Sequence, residues 1–243
     1  PYAHLRNVRQ PMTVLNDEMH EHLLPKSDRE IDGLAASAKV AKRALKNAGK
    51  WIRTGLSEKQ LAEKLRADIL SDAEDLSFPM GVTTGPRIKD TTASFPTPRK
   101  ITAKDIVCID LGSIKNGFAS DSTRMYFRKE DEAQEYYLAL CAAHKAVIKR
   151  MTPDLPIREI PGFYKEEMAK RGLPAETLAV GDLGHSIGFE VHEFPFLYRK
   201  EYDKYAIVDR MVFTLEPEIV FPRYRLRVED MIAMVDGKPV VLT

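Results

Sequence analysis

Two stretches of this chain, 106–127 and 212–235, read as buried β-hairpins: runs of β-branched and large apolar residues on either side of turn residues. Each carries two carboxylates inside its apolar run, Asp110 and Asp121 in the first and Glu216 and Glu229 in the second. On an antiparallel hairpin, residues whose numbers share a constant sum face each other. Asp110 and Asp121 are centred between Lys115 and Asn116, so without a bulge they oppose each other with Cβ atoms about 5 Å apart. Glu216 and Glu229 are centred between Pro222 and Arg223 and form a second opposed pair. Like charges directly opposite destabilise a sheet, and burial raises the cost unless a carboxyl is protonated or a cation sits between them. The neighbouring cations in the sequence are Arg124, Arg225 and Arg227, the last on the strand face of Glu229. An isolated strand acid usually lies on a solvated face. Two opposed pairs on repeated hairpins argue for a shared positive partner.

The remaining pattern frames these hairpins. Ser27 with Glu30 and Ser57 with Gln60 are capping boxes. Ile31, Leu34, Ala38, Ala41 and Leu45 follow the first at helical spacing up to Gly49, where that helix is expected to end, and Leu61, Leu65 and Ile69 follow the second. A Pro- and Thr-rich connection over 78–98 leads into the first hairpin. Two further helices are predicted over about 130–150 and 157–171, then the second hairpin and a last strand near 240–242. Helix, helix, hairpin therefore occurs twice, which predicts an α+β fold with helices on one face of a mostly antiparallel sheet. Residues 1–26 read as an N-terminal arm and 27–243 as a single domain.

Composition narrows the function classes. The 243 residues are 44% hydrophobic and 30% charged, sufficient for a sizeable core. Lys and Arg number 37 against 36 Asp and Glu, so the chain as a whole offers no basic surface for nucleic acid. Its apolar runs fall well short of the roughly 18 residues a membrane span needs. The first ten residues lack the pattern of a secretory leader, and two cysteines, Cys108 and Cys141, argue against a disulfide scaffold. The expectation is a cytoplasmic protein with neither nucleic acid nor membrane as partner.

Residues 184–195 add His185 and His192 in a glycine-punctuated segment. One imidazole with four carboxylates makes an oxygen-rich site able to hold two divalent metal ions about 3 to 4 Å apart. Such ligands suit Mn, Fe or Co better than a thiolate-type Zn site, with Zn a further candidate.

Over residues 27–243 the chain resembles the pita-bread metallopeptidase family, which contains methionine aminopeptidases, Xaa-Pro aminopeptidases, prolidases and creatinase. The residues that carry the resemblance are Asp110-Leu-Gly-Ser-Ile-Lys-Asn-Gly-Phe-Ala-Ser-Asp121-Ser-Thr-Arg, Gly184-His185, Thr214-Leu-Glu216-Pro and Arg227-Val-Glu229-Asp. The last of these and the final Val241-Leu242-Thr243 look more like the Xaa-Pro branch. The resemblance implies two pseudo-symmetric helix-helix-hairpin halves, with Asp110, Asp121, His185, Glu216 and Glu229 as metal ligands. It implies a metal-bridged hydroxide attacking a peptide carbonyl, Glu216 also moving protons, His192 steadying the oxyanion or carbonyl, and Arg227 organising the acids or contacting substrate. It also implies a homodimer.

Five positions depart from the family pattern. Ser94-Phe95 stands where the Xaa-Pro branch has His-Tyr, and Ser186, Arg210 and Glu218 replace glycines, each expected to add bulk or charge around the substrate pocket. Two readings of function follow: a dinuclear-metal aminopeptidase or prolidase cleaving before proline, or a metal-dependent hydrolase, lyase or decarboxylase acting on a small amino-acid-like metabolite. A non-catalytic binding module on the same fold is a third, disfavoured because the ligand set is complete. The substrate, peptide or small molecule, depends on the loops 85–98 and 196–205. His20-Glu21-His22 reads as solvated surface, His144 as structural, and Cys108, on the strand face of Asp110, as core packing.

Overall fold

Both capping boxes close at the start of a helix. Ser27 Oγ accepts the Glu30 amide at 3.3 Å while Glu30 Oε2 accepts the Ser27 amide at 2.7 Å, opening α1 (Asp28–Trp51). Ser57 and Gln60 exchange the same two bonds at 3.1 and 3.0 Å to open α2 (Glu58–Leu70). Helix α1 passes through Gly49, its expected end, and stops at Trp51. A single interior glycine costs about 1 kcal/mol, and burial continues past it through Ala48 and Ile52. The computed structural model describes residues 23–179, 181, 183–197, 200 and 203–243. His20, Glu21 and His22 lie outside the described residues.

The first half continues with β1 (Gly81–Thr84), β2 (Ile106–Leu111), β3 (Ile114–Lys115), β4 (Phe118–Ala119) and β5 (Ser122–Phe127). Strand β1 lies inside the stretch expected to be a connection; its four residues are all buried, and pairing with β2 in the order β1-β2-β5 makes it a strand. The second half repeats the sequence of elements with α3 (Glu132–Ile148), α4 (Ile160–Ala169), β6 (His185–Ser186), β7 (Glu193–Phe196), β8 (Val212–Leu215), β9 (Glu218–Val220), β10 (Arg225–Arg227), β11 (Asp230–Val235) and β12 (Lys238–Val241). Its main sheet runs β12-β11-β8-β6-β7. Two helices followed by an antiparallel triplet, β1-β2-β5 or β6-β8-β11, thus occur twice, which is the pita-bread α+β arrangement.

Alternation along the strands places the acids. Val107, Ile109 and Leu111 of β2 pack with Ala41, Leu45, Leu61 and Leu65 of α1 and α2, which sends Asp110 to the opposite face. In the second half Phe213, Leu215, Ile232 and Met234 pack with Leu140, Val147 and Tyr164 of α3 and α4. A third group, Leu34 and Ala38 with Phe118, Val212 and Met231, joins α1 to strands of both halves.

The register of the first hairpin differs from the expected one. Asn116 and Gly117 both have left-handed backbone, φ 56° and 80°, and form a two-residue turn between Lys115 and Phe118. The turn is therefore centred one residue later than assumed, so Asp110 faces Thr123, and Asp121 sits two residues nearer the turn on the same side. In the second hairpin the register is as expected. Arg227 opposite Glu218 and Asp230 opposite Leu215 bracket Glu216 and Glu229 as an opposed pair, at a break in both strands. Among the described residues no helix is long and apolar enough to cross a membrane.

Gly33 in α1 gives a stability test in which packing opposes propensity. A Cβ there would lie 2.1 Å from Phe118 Cδ2, whereas helix propensity alone favours alanine over glycine by about 1 kcal/mol. Gly33→Ala is expected to lower unfolding stability by about 1 to 3 kcal/mol, read by urea denaturation; a stabilised variant would show that the Phe118 ring yields freely.

Candidate active site

Five side chains from both halves converge on one cavity. Asp110 comes from β2, Asp121 from the residue before β5, His185 from β6, Glu216 from the residue after β8, and Glu229 from the residue before β11. All are between 2 and 9% exposed. Ligand atoms of Asp110, Asp121 and Glu229 lie within 4.8 Å of one another, as do those of His185, Glu216 and Glu229. Glu229 is common to the two groups. A third group of the same spacing joins Asp121 and His185 to the more exposed His192.

The imidazole of His185 is oriented for coordination. Its Nδ1 lies 3.0 Å from the Ser186 carbonyl, which can only accept, so Nδ1 carries the proton. Nε2 is then the ring nitrogen turned toward the acids, with Asp121 Oδ2 at 3.6 Å and Glu216 Oε1 at 3.7 Å. Thr123, the residue opposite Asp110, donates from Oγ1 to Glu229 Oε2 at 2.8 Å. It stands within the motif that holds Asp121, and the shifted turn is what gives it this role.

Burial, then the charges of Asp110 and Glu216, drive the Asp121 carboxyl well above the usual carboxylate range. Burial, then Asp121 and Asp110, do the same to Glu229, and in both cases the opposing pull of Arg227 is too small. Asp121 Oδ1 is buried with no hydrogen-bond partner among the described residues. Four carboxylates, an imidazole with Nε2 turned inward and an unsatisfied oxygen fit two divalent ions that share ligands.

The cavity has a volume of about 440 Å³. It is lined by the acids, His185, His192 and Arg227 together with Phe78, Pro79, Gly81, Ala93, Ser94 and Phe95. His192 meets His185 edge to face with ring centroids 4.4 Å apart. Arg227 Nη1 lies 3.1 Å from Glu216 Oε2. Ser94 Oγ accepts from Arg87 Nη2 at 2.5 Å, the same nitrogen donates to the Phe95 carbonyl at 3.0 Å, and the Phe95 ring is 70% exposed. No sequence signal pointed to Phe78, Pro79 or Gly81, whose place at the cavity follows from pairing of β1 with β2, whereas Ala93 lies in the loop 85–98 expected to shape the substrate pocket.

Ser186, Glu218 and Arg210, expected around the substrate pocket, are placed otherwise. Ser186 is fully buried and donates to the Val212 carbonyl at 3.1 Å, so it serves the sheet. Glu218 lies behind the lining, opposite Arg227, with Arg225 Nη1 at 2.8 Å. Arg210 binds Asp28 Oδ1 and the Lys26 carbonyl, both at 2.6 Å, at the start of α1. Its φ of 64° accounts for a preference for glycine there without any reference to the pocket.

His144 is structural, as expected, held between the Tyr164 hydroxyl at 2.7 Å and Asp230 Oδ2 at 3.2 Å. Burial would raise the Asp230 carboxyl, but His144 and Arg124 outweigh it and hold the pKa at about 2. Cys108 is fully buried in the core, and burial, then Asp110, push its thiol pKa up.

The sequence matches the family described as Metallopeptidase family M24 over residues 32–236. The chain belongs to this family. Its membership places it among hydrolases. The M24 chain is 25% identical over 245 residues to the Xaa-Pro dipeptidase of Pyrococcus furiosus, a match covering 97% of this chain and 69% of that protein. Among solved structures, the prolidase from Pyrococcus horikoshii superposes with a TM-score of 0.85 at 27% identity, covering 94% of this chain and 66% of the other. The X-Pro aminopeptidase from Thermotoga maritima has the same fold, TM-score 0.85 at 24% identity, covering 94% and 64%. The chain spans about two thirds of the length of these relatives.

The raised carboxyls of Asp121 and Glu229 give a stability test with a definite sign. Unfolded, these groups ionise near pH 4; folded and without a cation they resist ionisation. Their contribution is therefore intact below the unfolded pKa and is lost as pH rises from about 4 through the raised folded value. In chelator, the Tm of the parent is expected to fall more steeply between pH 5 and 8 than that of Asp121→Asn. Saturating Mn²⁺ is expected to raise the parent's Tm at pH 8, with about 2.7 kcal/mol gained at 100 times Kd, and the variant's far less. Parallel pH profiles for the two proteins would contradict the buried-acid account.

Proposed function

We propose that this M24 protein is a dinuclear-metal hydrolase that removes an N-terminal residue from peptides by cleaving the bond before proline. The observation that carries this reading is the convergence of Asp110, Asp121, His185, Glu216 and Glu229 on a cavity that His192 and Arg227 also line. The Xaa-Pro dipeptidase and prolidase names of its relatives support the same substrate class. Asp110, Asp121, His185, Glu216 and Glu229 would hold the metals, with Glu229 shared. Two divalent ions there, Mn, Fe or Co by donor type, would supply Lewis-acid activation of water and of the scissile carbonyl.

The chain's own groups do the rest. Glu216, between His185 Nε2 and the Arg227 guanidinium, is placed to take a proton from the attacking water and deliver it to the leaving amine. His192, at the edge of the His185 ring, is placed to donate to the developing oxyanion. Phe78, Pro79 and Phe95 offer an apolar wall on which a proline ring can rest.

A second reading draws on Ser94. Where the Xaa-Pro branch has a histidine, this chain has a hydroxyl already engaged by Arg87, so the substrate wall differs although the acids are all present. A hydrolase, lyase or decarboxylase for a small amino-acid-like metabolite would use the same metals with a different wall.

The purified protein with Mn²⁺ is expected to hydrolyse a panel of Xaa-Pro dipeptides and longer Xaa-Pro peptides. Glu216→Gln is expected to lower kcat at least about a hundredfold, and His192→Ala by about 10² to 10³. Metal-loaded protein that turns over no peptide would reject peptidase activity in favour of the metabolite reading.

A further inference from the structure

One buried lysine ties the segment ahead of α1 to the loop that carries His192. Lys26 is 5% exposed, and its Nζ donates to Glu193 Oε2 at 2.8 Å and to the Leu23 carbonyl at 2.9 Å. Glu193 directly follows His192 and opens β7. Its other oxygen, Oε1, accepts the Glu190 amide at 3.3 Å, and a Cβ on Gly188 would lie 2.3 Å from that same atom. The carboxylate is therefore packed against the backbone of 188–190, with the Lys26 ammonium on its second oxygen.

From this geometry we propose that Lys26 is a positioning residue for His192: its ion pair with Glu193 sets the end of the loop 188–192, and with it the place of the imidazole at the edge of His185. The inference rests on the reading of His192 as the oxyanion donor. The two ends of the loop are secured differently. At its start the Gly188 carbonyl accepts the Ala119 amide at 2.9 Å, and the Phe189 ring stacks on Phe118 with centroids 4.8 Å apart. At its end the β6–β7 ladder is irregular: Ser186 pairs with Glu193 and His185 with Phe196, so the register slips between them. An irregular ladder defines the place of His192 less closely than a regular one, and the charged pair on Glu193 supplies a fixed point. Lys26 is itself held. Its amide donates to the Arg210 carbonyl at 2.9 Å, its carbonyl accepts from Arg210 Nε at 2.6 Å, and Arg210 Nη2 binds Asp28 Oδ1 at 2.6 Å. Because the ammonium is buried, parting it from Glu193 would leave its charge uncompensated, which ties the two segments to one arrangement.

The test is a double-mutant cycle. Lys26→Met keeps the length of the side chain but removes the charge. With Mn²⁺ and a Xaa-Pro peptide it is expected to lower kcat by about ten- to a hundredfold. Its Mn²⁺ affinity, by titration calorimetry, is expected to stay within about twofold of the parent's, since no candidate metal ligand is touched. In a His192→Ala background the same change is expected to lower kcat by less than about twofold, because no imidazole remains to be placed. An equal loss in both backgrounds, or no loss in the parent, overturns the proposal. Glu193→Gln, which keeps an acceptor for the Glu190 amide, is expected to lower kcat in the same way and to add little to Lys26→Met; it carries the test if Lys26→Met does not fold. Full additivity of the two would mean that they act apart, and also overturns the proposal.

Crystal structures of the parent and of both variants give a readout that needs no substrate. The His192 ring is expected to leave the edge of His185 in the variants, and an unmoved ring overturns the proposal. A parent that cleaves no peptide, or a His192→Ala variant with the parent's kcat, overturns the reading of His192 as oxyanion donor; the position of the ring then decides alone whether Lys26 places it.

Discussion

An excess of buried negative charge at the junction of the two halves is the constraint around which this structure is arranged. Two charges 4 Å apart interact by about 4 kcal/mol even at an effective dielectric of 20, and a folded domain is stable by only about 5 to 15 kcal/mol. A few uncompensated pairs among Asp110, Asp121, Glu216 and Glu229 would consume that margin. The neighbouring groups respond to the same field: Thr123 donates to Glu229, Arg227 approaches Glu216, and His185 turns the Nε2 edge of its ring toward two of the acids. These contacts leave Asp121 Oδ1 without a partner among the described residues. The remaining deficit calls for protons or for cations. Protons would leave neutral carboxyls without the charge a metal hydrolase needs, so the arrangement is useful only with cations.

The internal repeat explains how so many acids reach one point. Asp110 and Glu216 occupy corresponding places at the middle strand of each triplet, and Asp121 and Glu229 correspond just before the third strand. Neither half completes the set. The second half places Glu229 by bonds to the first: its amide donates to the Thr123 carbonyl at 3.2 Å, and its own carbonyl accepts from Ser122 Oγ at 2.9 Å. Beside it, Asp230 links Arg124 of β5 to His144 and, through it, Tyr164 on the helices α3 and α4. The ligand geometry is therefore available only when both halves are folded and docked. The strand breaks at 216–217 and 228–229 belong to the same design, for Pro217 has no amide to offer a ladder and Glu216 leaves the sheet beside it.

Much of this was legible in the sequence because it depends on local patterns. The capping boxes, the helical stripes and the acids within apolar runs each fix an element or a site residue from a few neighbours. The misplaced register of the first hairpin was also legible in principle: Asn116-Gly117 is the dipeptide that accepts two left-handed residues, and centring the turn on it puts Thr123 opposite Asp110. Other features were not legible. Strand β1 is four residues long and β6 is two, too short to show a period, and both exist because distant strands pair with them. The place of Arg210 could not be inferred from the loss of a glycine, since a left-handed backbone and an open pocket leave the same trace in a sequence.

The substrate wall follows a different logic from the acids. Residues 84–99 are held mainly by two buried carboxylates. Glu58, fully buried at the first turn of α2, accepts from Thr84 Oγ1 at 2.6 Å and the Thr97 amide at 2.9 Å and pairs with Arg87. Asp105 grips Arg99 through two bonds of 2.6 and 3.0 Å. Arg87 then fixes Ser94 and Phe95, which line the cavity with the acids. Neither anchor is among the candidate metal ligands, and neither lies on the hairpins' turns. Substitutions in the wall can therefore alter which molecule fits without disturbing the acids, whereas a change to any acid disturbs the charge balance on which the junction depends. That separation accounts for a chain whose five candidate ligands all match a family pattern while Ser94, in the lining held by Arg87, does not.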